Sequence, residues 1–174
     1  MRRAFCVAFI GMSAAAVAGQ QPRANPGGPN FVSAAELKQA IADARPWPSD
    51  PSVKYKRFGA RDGYSYWVLQ RDATGKVEQH DDWTDLFIVQ SGEATMLTGG
   101  QIKGGEQTSA GETLGGEIVG GRRQHIGPND VYIVPAGTPH QFVIEPGHSI
   151  FYVTIKTARG GNRCDASLRP DRTL

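Results

Sequence analysis

Cysteine is scarce in this chain, with two among 174 residues, Cys6 and Cys164. Cys6 falls in the leader described below, which leaves Cys164 alone, and a single thiol cannot staple a fold even in an oxidising compartment. Cys164 therefore reads as an incidental free thiol. No Cys-x-x-Cys pair, no Gly-x-Ser-x-Gly elbow and no glycine-rich loop leading into a lysine and a helix is present, which removes the common redox, serine-hydrolase and nucleotide signatures. Asp81 and Asp82 lack the spacing and closing glutamate of a calcium loop. Charge of one sign is missing too: 19 Lys plus Arg stand against 17 Asp plus Glu, with no dense basic block. That balance gives no electrostatic reason to expect nucleic acid or an anionic membrane as partner.

Long hydrophobic runs are also lacking. The opening "MRRAFCVAFIGMSAAAVAGQQP" places Arg2 and Arg3 before an apolar stretch too short to span a bilayer, and then reaches Ala16-Val17-Ala18. It reads as a secretory signal, residues 1–18, cleaved after Ala18, which predicts a periplasmic or secreted protein free of the membrane once cleaved. Cleavage removes Arg2 and Arg3 and no acid, leaving a formally neutral chain. Residues 19–30, "GQQPRANPGGPN", hold three prolines and three glycines and read as a flexible linker. Residues 159–174 lack periodicity and read as a tail. What remains, residues 31–158, is enough for one domain with a sizeable core and too little for two.

Inside that domain, Ser33 with Glu36 three positions on forms a capping box, and Pro46 stops the chain soon after. The spacing predicts a helix of about three turns, with Leu37 and Ile41 on one face, lying over a sheet edge or a barrel end. From Val53 onward the period changes to two. Short apolar segments follow at 64–70, 76–80, 85–90, 93–97, 117–119, 124–126, 130–134, 140–144 and 149–157, separated by glycine- and proline-rich turns. This predicts an all-β sandwich or barrel. Residues 99–116, rich in Gly, Ser, Thr and Gln, read as an elongated loop or weak hairpin, dispensable for folding but placed to govern access to the interior.

Strand parity turns His140, Phe142 and Ile144 to one face, which the apolar pair marks as interior. Glu78 and His80 share a face, as do Asp85, Phe87 and Val89. Two carboxylates and two imidazoles thus point inward from three strands. His125 precedes a turn and His148 lies in one, so both read as solvent-facing; Trp83 reads as packing, with a place at the barrel mouth as the alternative.

The run Asn129, five residues, Pro135-Ala136-Gly137, two residues, His140 resembles the second motif of the cupins, with asparagine in place of the leading glycine. Glu78-Gln79-His80, four residues, Asp85, six residues, Gly92 resembles their first motif, with glutamate at its first histidine and aspartate at its glutamate. The resemblance covers residues 60–157. It implies a double-stranded β-helix, the jelly-roll cupin barrel, here with one short N-terminal helix. It also implies one divalent metal ion, Fe, Mn, Ni or Zn, held by His80, His140, Glu78 and Asp85. Either carboxylate has an alternative role, Glu78 in orienting His80 and Asp85 as a strand-start residue. Its longer reach gives Glu78 the stronger claim. Two functions stay open: an exported metal-dependent enzyme of oxygenase, lyase or isomerase type acting on a small polar molecule, and a non-catalytic small-ligand-binding or structural cupin. The partner expected is a small-molecule ligand, with assembly as a homodimer left open.

Overall fold

The structure, a computed structural model, describes residues 31–48, 50–61 and 63–159. The leader, the linker and the tail beyond Arg159 lie outside the described residues. Helix α1 (Ala34–Ala42) begins where its capping box requires: the Glu36 N–H donates to Ser33 Oγ at 3.1 Å, and the Ser33 N–H donates to the Glu36 carboxylate at 2.8 Å. Two of the donors that a helix start leaves orphaned are thereby satisfied. Instead of covering an edge or an end, α1 lies on the outer face of a sheet, with Ala40 fully buried in a cluster with Val68 and Val153. The strands beneath it carry apolar residues on both faces, Val68 beside Leu69 and Tyr152 beside Val153. Their outer face therefore needs a cover as well.

Fourteen strands follow in chain order: β1 (Arg45–Trp47), β2 (Asp50–Arg61), β3 (Tyr64–Arg71), β4 (Glu78–His80), β5 (Trp83–Gly92), β6 (Ala94–Thr98), β7 (Gln101–Lys103), β8 (Glu106–Ser109), β9 (Glu112–Leu114), β10 (Glu117–Val119), β11 (Arg122–Ile126), β12 (Val131–Val134), β13 (His140–Val143) and β14 (Ile150–Ala158). One six-stranded sheet runs β1-β2-β3-β14-β5-β12, a second runs β11-β6-β13-β4-β9-β8, and β10 pairs with β7 as a separate ribbon. The inner faces of the two large sheets meet in one core, in which Val53, Leu69, Phe87, Val89 and Tyr152 face Met96, Ile126 and Phe142. Phe87, Phe142 and Tyr152 pack ring on ring, with centroids 4.6 to 5.5 Å apart. Among the described residues no helix is long and apolar enough to cross a membrane.

Of the two readings of residues 99–116, loop or weak hairpin, the structure has the hairpin, with β8 paired antiparallel to β9. The stretch holds β7, β8 and β9, and β9 is built into the second sheet beside β4, with His80 opposite Glu112 and Glu78 opposite Leu114. No alternation marks these strands because neither has a fully buried face: all four residues of β8 are exposed and those of β9 are half-buried throughout. The segment joins the sheet that carries the site. β1 and β2 also lie outside the apolar segments read from the sequence.

Candidate metal centre

Three strands of each large sheet converge on a single point. β4 turns Glu78 and His80 to the same side, and β13 begins with His140 directly opposite Glu78. The corner before β13 is set by local chemistry. The Thr138 N–H donates to the Pro135 carbonyl at 3.1 Å, with Gly137 at φ 75 in the third position, which a type II turn reserves for glycine. The Gly137 N–H then donates to the His80 carbonyl at 2.8 Å, tying the corner to β4 and placing His140 against it. The leading asparagine of that motif, Asn129, adopts the left-handed φ of 72 that a glycine would otherwise supply.

His80 and His140 are both buried, and each has one ring nitrogen engaged. His80 Nδ1–H donates to the Glu112 carboxylate, and His140 Nδ1–H donates to the Thr138 carbonyl at 3.2 Å. Since those oxygens only accept, both imidazoles present a bare Nε2 to the centre. His80 Nε2 lies 3.5 Å from Glu78 Oε2 and 3.4 Å from Asp85 Oδ2, and His140 Nε2 lies 3.5 Å from the same Asp85 oxygen. His80 Nε2 is buried without a hydrogen-bond partner. The lone pairs of His80 Nε2, His140 Nε2 and Glu78 Oε2 turned toward one another are stabilised by a cation among them. Two donors bound to one ion at about 2.1 Å are themselves about 3.0 to 3.4 Å apart, so the spacing fits a metal. Glu78, His80 and His140 each offer a ligand atom within 4.8 Å of the others.

The carboxylates are held in different ways. Arg71 Nη2 donates to Glu78 Oε1 at 2.7 Å while its Nε donates to the Tyr152 hydroxyl at 2.9 Å, which leaves Glu78 Oε2 for the centre. Gly75 clears the space for that guanidinium, since a Cβ there would lie 2.4 Å from Arg71 Nη1. Asp85 is almost wholly buried and faces Lys156 across the β5–β14 ladder. Lys156 Nζ donates to its Oδ2 at 3.1 Å and lies 3.0 Å from Oδ1, the latter an ion-pair contact without hydrogen-bond geometry.

Burial alone pushes the Glu78 carboxyl up, but the Arg71 guanidinium outweighs it and holds it well below its ordinary range. Burial pushes the His140 imidazole down despite the pull of Glu78 and Asp85, so its Nε2 stays unprotonated. For His80 burial again pushes down, yet the nearby carboxylates of Glu78 and Asp85 prevail and raise it. Tyr152 is pushed up to about 12, chiefly by burial, and remains a neutral phenol beside Arg71.

An uncharacterized conserved protein with a double-stranded β-helix domain from Klebsiella pneumoniae superposes with a TM-score of 0.52 at 14% identity, over 76% of this chain and 93% of that one. The fold is the cupin barrel. A cupin 2 conserved barrel domain protein from Rhodopseudomonas palustris is similar over 60% of each chain at 14% identity with a TM-score of 0.43. The DMSP lyase DddQ from Ruegeria pomeroyi is similar at 16% identity and a TM-score of 0.46, over 72% of this chain and 56% of that one. The chain thus spans less than two thirds of the length of these last two. Its sequence matches no protein-family profile and no curated protein.

Beside the centre the cupin barrel opens into a cavity of about 400 Å³. Trp47, Trp67 and Trp83, all three tryptophans of the chain, line it together with Arg71, Glu78, His80, Glu112, Thr154 and Lys156. Trp83 thus lines the cavity. His125 and His148 are exposed and pair instead with Glu93, at 3.6 and 2.8 Å. Glu112, Lys156 and Arg71 are the site residues that motif reading missed. Glu112 lies in the polar stretch read as a loop or weak hairpin, where no alternation marks an inward side chain. Lys156 had a legible signal, a charged residue on the inward parity of Ile150, Tyr152 and Thr154.

Proposed function

We propose that this is a divalent-metal-dependent cupin enzyme that acts on a small organic molecule, with His80, His140 and Glu78 as the ligands and Asp85 adjoining them. The observation that carries the reading is the bare, buried, unpartnered His80 Nε2 facing His140 Nε2 and Glu78 Oε2 at the edge of the cavity. Two imidazoles and one carboxylate suit Fe(II), and also Mn, Ni or Zn. An ion there would supply Lewis-acid polarisation of a bound oxygen. The chain's own groups do the rest: Glu112 holds the proton on His80 Nδ1, Arg71 orients Glu78, and the tryptophans shield the cavity from water. We further propose export with cleavage after Ala18, read from the leader; a mature protein that retains Met1, or one kept in the cytoplasm, would contradict it.

The deciding experiment is elemental analysis of protein prepared without a histidine tag and reconstituted with Fe(II), Mn, Ni and Zn in turn. One tightly bound ion per chain is expected, lost in His80→Ala and in His140→Ala. A second reading, a non-catalytic binder, is favoured by the Lys156 ammonium paired with Asp85, where the family pattern has a glutamate ligand. Absence of stoichiometric metal in all four reconstitutions would select it.

A further inference from the structure

Resting on the metal reading, we infer that the cavity takes a monocarboxylate with an apolar, planar body, its carboxylate anchored by Lys156. Charge comes first. Arg71 is matched by Glu78 and Lys156 by Asp85, while a divalent ion adds two positive charges that Glu112 offsets by one. One positive charge is left over in a partly desolvated space, and a monoanion neutralises it. The exposed rim points the same way, with Arg57 and Lys76 against Asp50.

Donors come second. An ammonium has three N–H groups and the two Asp85 oxygens occupy at most two, so Lys156, whose side chain is 26% exposed and lines the cavity, keeps one for a ligand. Two residues earlier on the same strand face, Thr154 lines the cavity with a buried hydroxyl that has no hydrogen-bond partner. A buried unpaired hydroxyl is costly, and a ligand oxygen nearby relieves it. A phosphate fits less well. Its second negative charge overshoots the single excess positive charge, and no glycine lines the cavity to offer the backbone N–H cradle that phosphates use.

The apolar body follows from the walls. The indole of Trp67 is fixed by its N–H donating to Ser65 Oγ at 2.8 Å and by packing against Trp47 at 5.8 Å between centroids. Flat, rigid walls around 400 Å³ suit a small planar molecule.

Because every tryptophan lines the cavity, intrinsic fluorescence reports its occupancy. Zinc-loaded protein is titrated with phenylacetate, its neutral isostere phenylacetamide, phenyl phosphate and acetate, while zinc content is measured separately. Phenylacetate is expected to bind at least about tenfold more tightly than the amide, and more tightly than phenyl phosphate or acetate. The acid-over-amide preference should fall below about threefold in Lys156→Gln and return in Lys156→Arg, with zinc stoichiometry unchanged in both. If Lys156→Gln misfolds because Asp85 is left unpaired, the double variant Asp85→Asn/Lys156→Gln removes both charges, keeps the single excess positive charge and isolates the anchoring donor. The acid-over-amide preference should still fall there, and a preference at wild-type strength would overturn the role of Lys156. Equal binding of acid and amide, a preference unaffected by Lys156→Gln, tighter binding of phenyl phosphate, or no fluorescence response would overturn the inference while bound zinc left the metal reading standing. Failure to bind zinc would instead defeat the metal reading itself, and with it the excess charge that calls for the anion.

Discussion

At the scale of single residues, the two carboxylates of the centre differ in what already occupies them. Asp85 Oδ2 faces both imidazoles but accepts a hydrogen bond from Lys156, whereas Glu78 has one oxygen held by Arg71 and the other turned toward His80. An ammonium on a ligand oxygen competes with a metal for the same lone pairs. Glu78→Gln is therefore expected to weaken zinc binding more than Asp85→Asn, and by more than the roughly 10-fold to 100-fold typical of groups that only orient a ligand. Competition with a chromogenic chelator measures both, and a larger loss in Asp85→Asn would reverse the assignment. Glu112 belongs to the orienting kind, since it fixes the tautomer of His80 without touching the centre. Glu112→Gln should cost about 10-fold to 100-fold in the same assay.

At the scale of elements, short-range chemistry sets where segments start and turn. Removing the Ser33 side chain should cost about 1 kcal/mol, read as a lower urea midpoint with unchanged zinc content, because α1 packs on the outer face away from the site. Glu36, its capping partner, is held below its ordinary value near 4.5 by the Ser33 N–H and hydroxyl. A depressed carboxyl contributes stability that is complete above the unfolded value and is lost as pH falls through the folded one. The stability gap between wild type and Glu36→Gln should therefore close on acidification below about pH 4.5. Gly92 closes the first motif at φ 75, where an added Cβ would lie 2.0 Å from the Ser149 carbonyl oxygen. Gly92→Ala combines left-handed strain with a backbone clash and should cost more than about 2 kcal/mol. Replacing residues 99–116 with a short turn removes β9 and Glu112, so it should reduce zinc affinity at least as far as Glu112→Gln does.

At the scale of the whole molecule, a metal that binds only the folded chain stabilises it by mass action, about 2.7 kcal/mol at a hundredfold excess over Kd, or on the order of 10 °C in Tm for a domain of this size. Zinc should raise the Tm of wild type by that much and leave His140→Ala unmoved in a thermal melt. The class of fold was legible in the sequence because its signals are local: period two, a capping box, a Pro-x-Gly corner whose third position must be left-handed, and an asparagine that tolerates the same φ. The inward direction of Glu78, His80, Asp85 and His140 was legible for the same reason, since parity along a strand needs no partner. Which residue each of them meets was not. His80 finds Glu112 32 residues away, Lys156 reaches Asp85 across 71, and Arg71 reaches Tyr152 across 81. Such partners depend on strand register, and a slip of one residue turns every side chain to the other face. The spacing of motifs along the chain thus supplied the candidate ligands, and only the tertiary structure decided which charges hold them, which carboxylate is already taken, and which hydroxyl and ammonium are left facing the cavity.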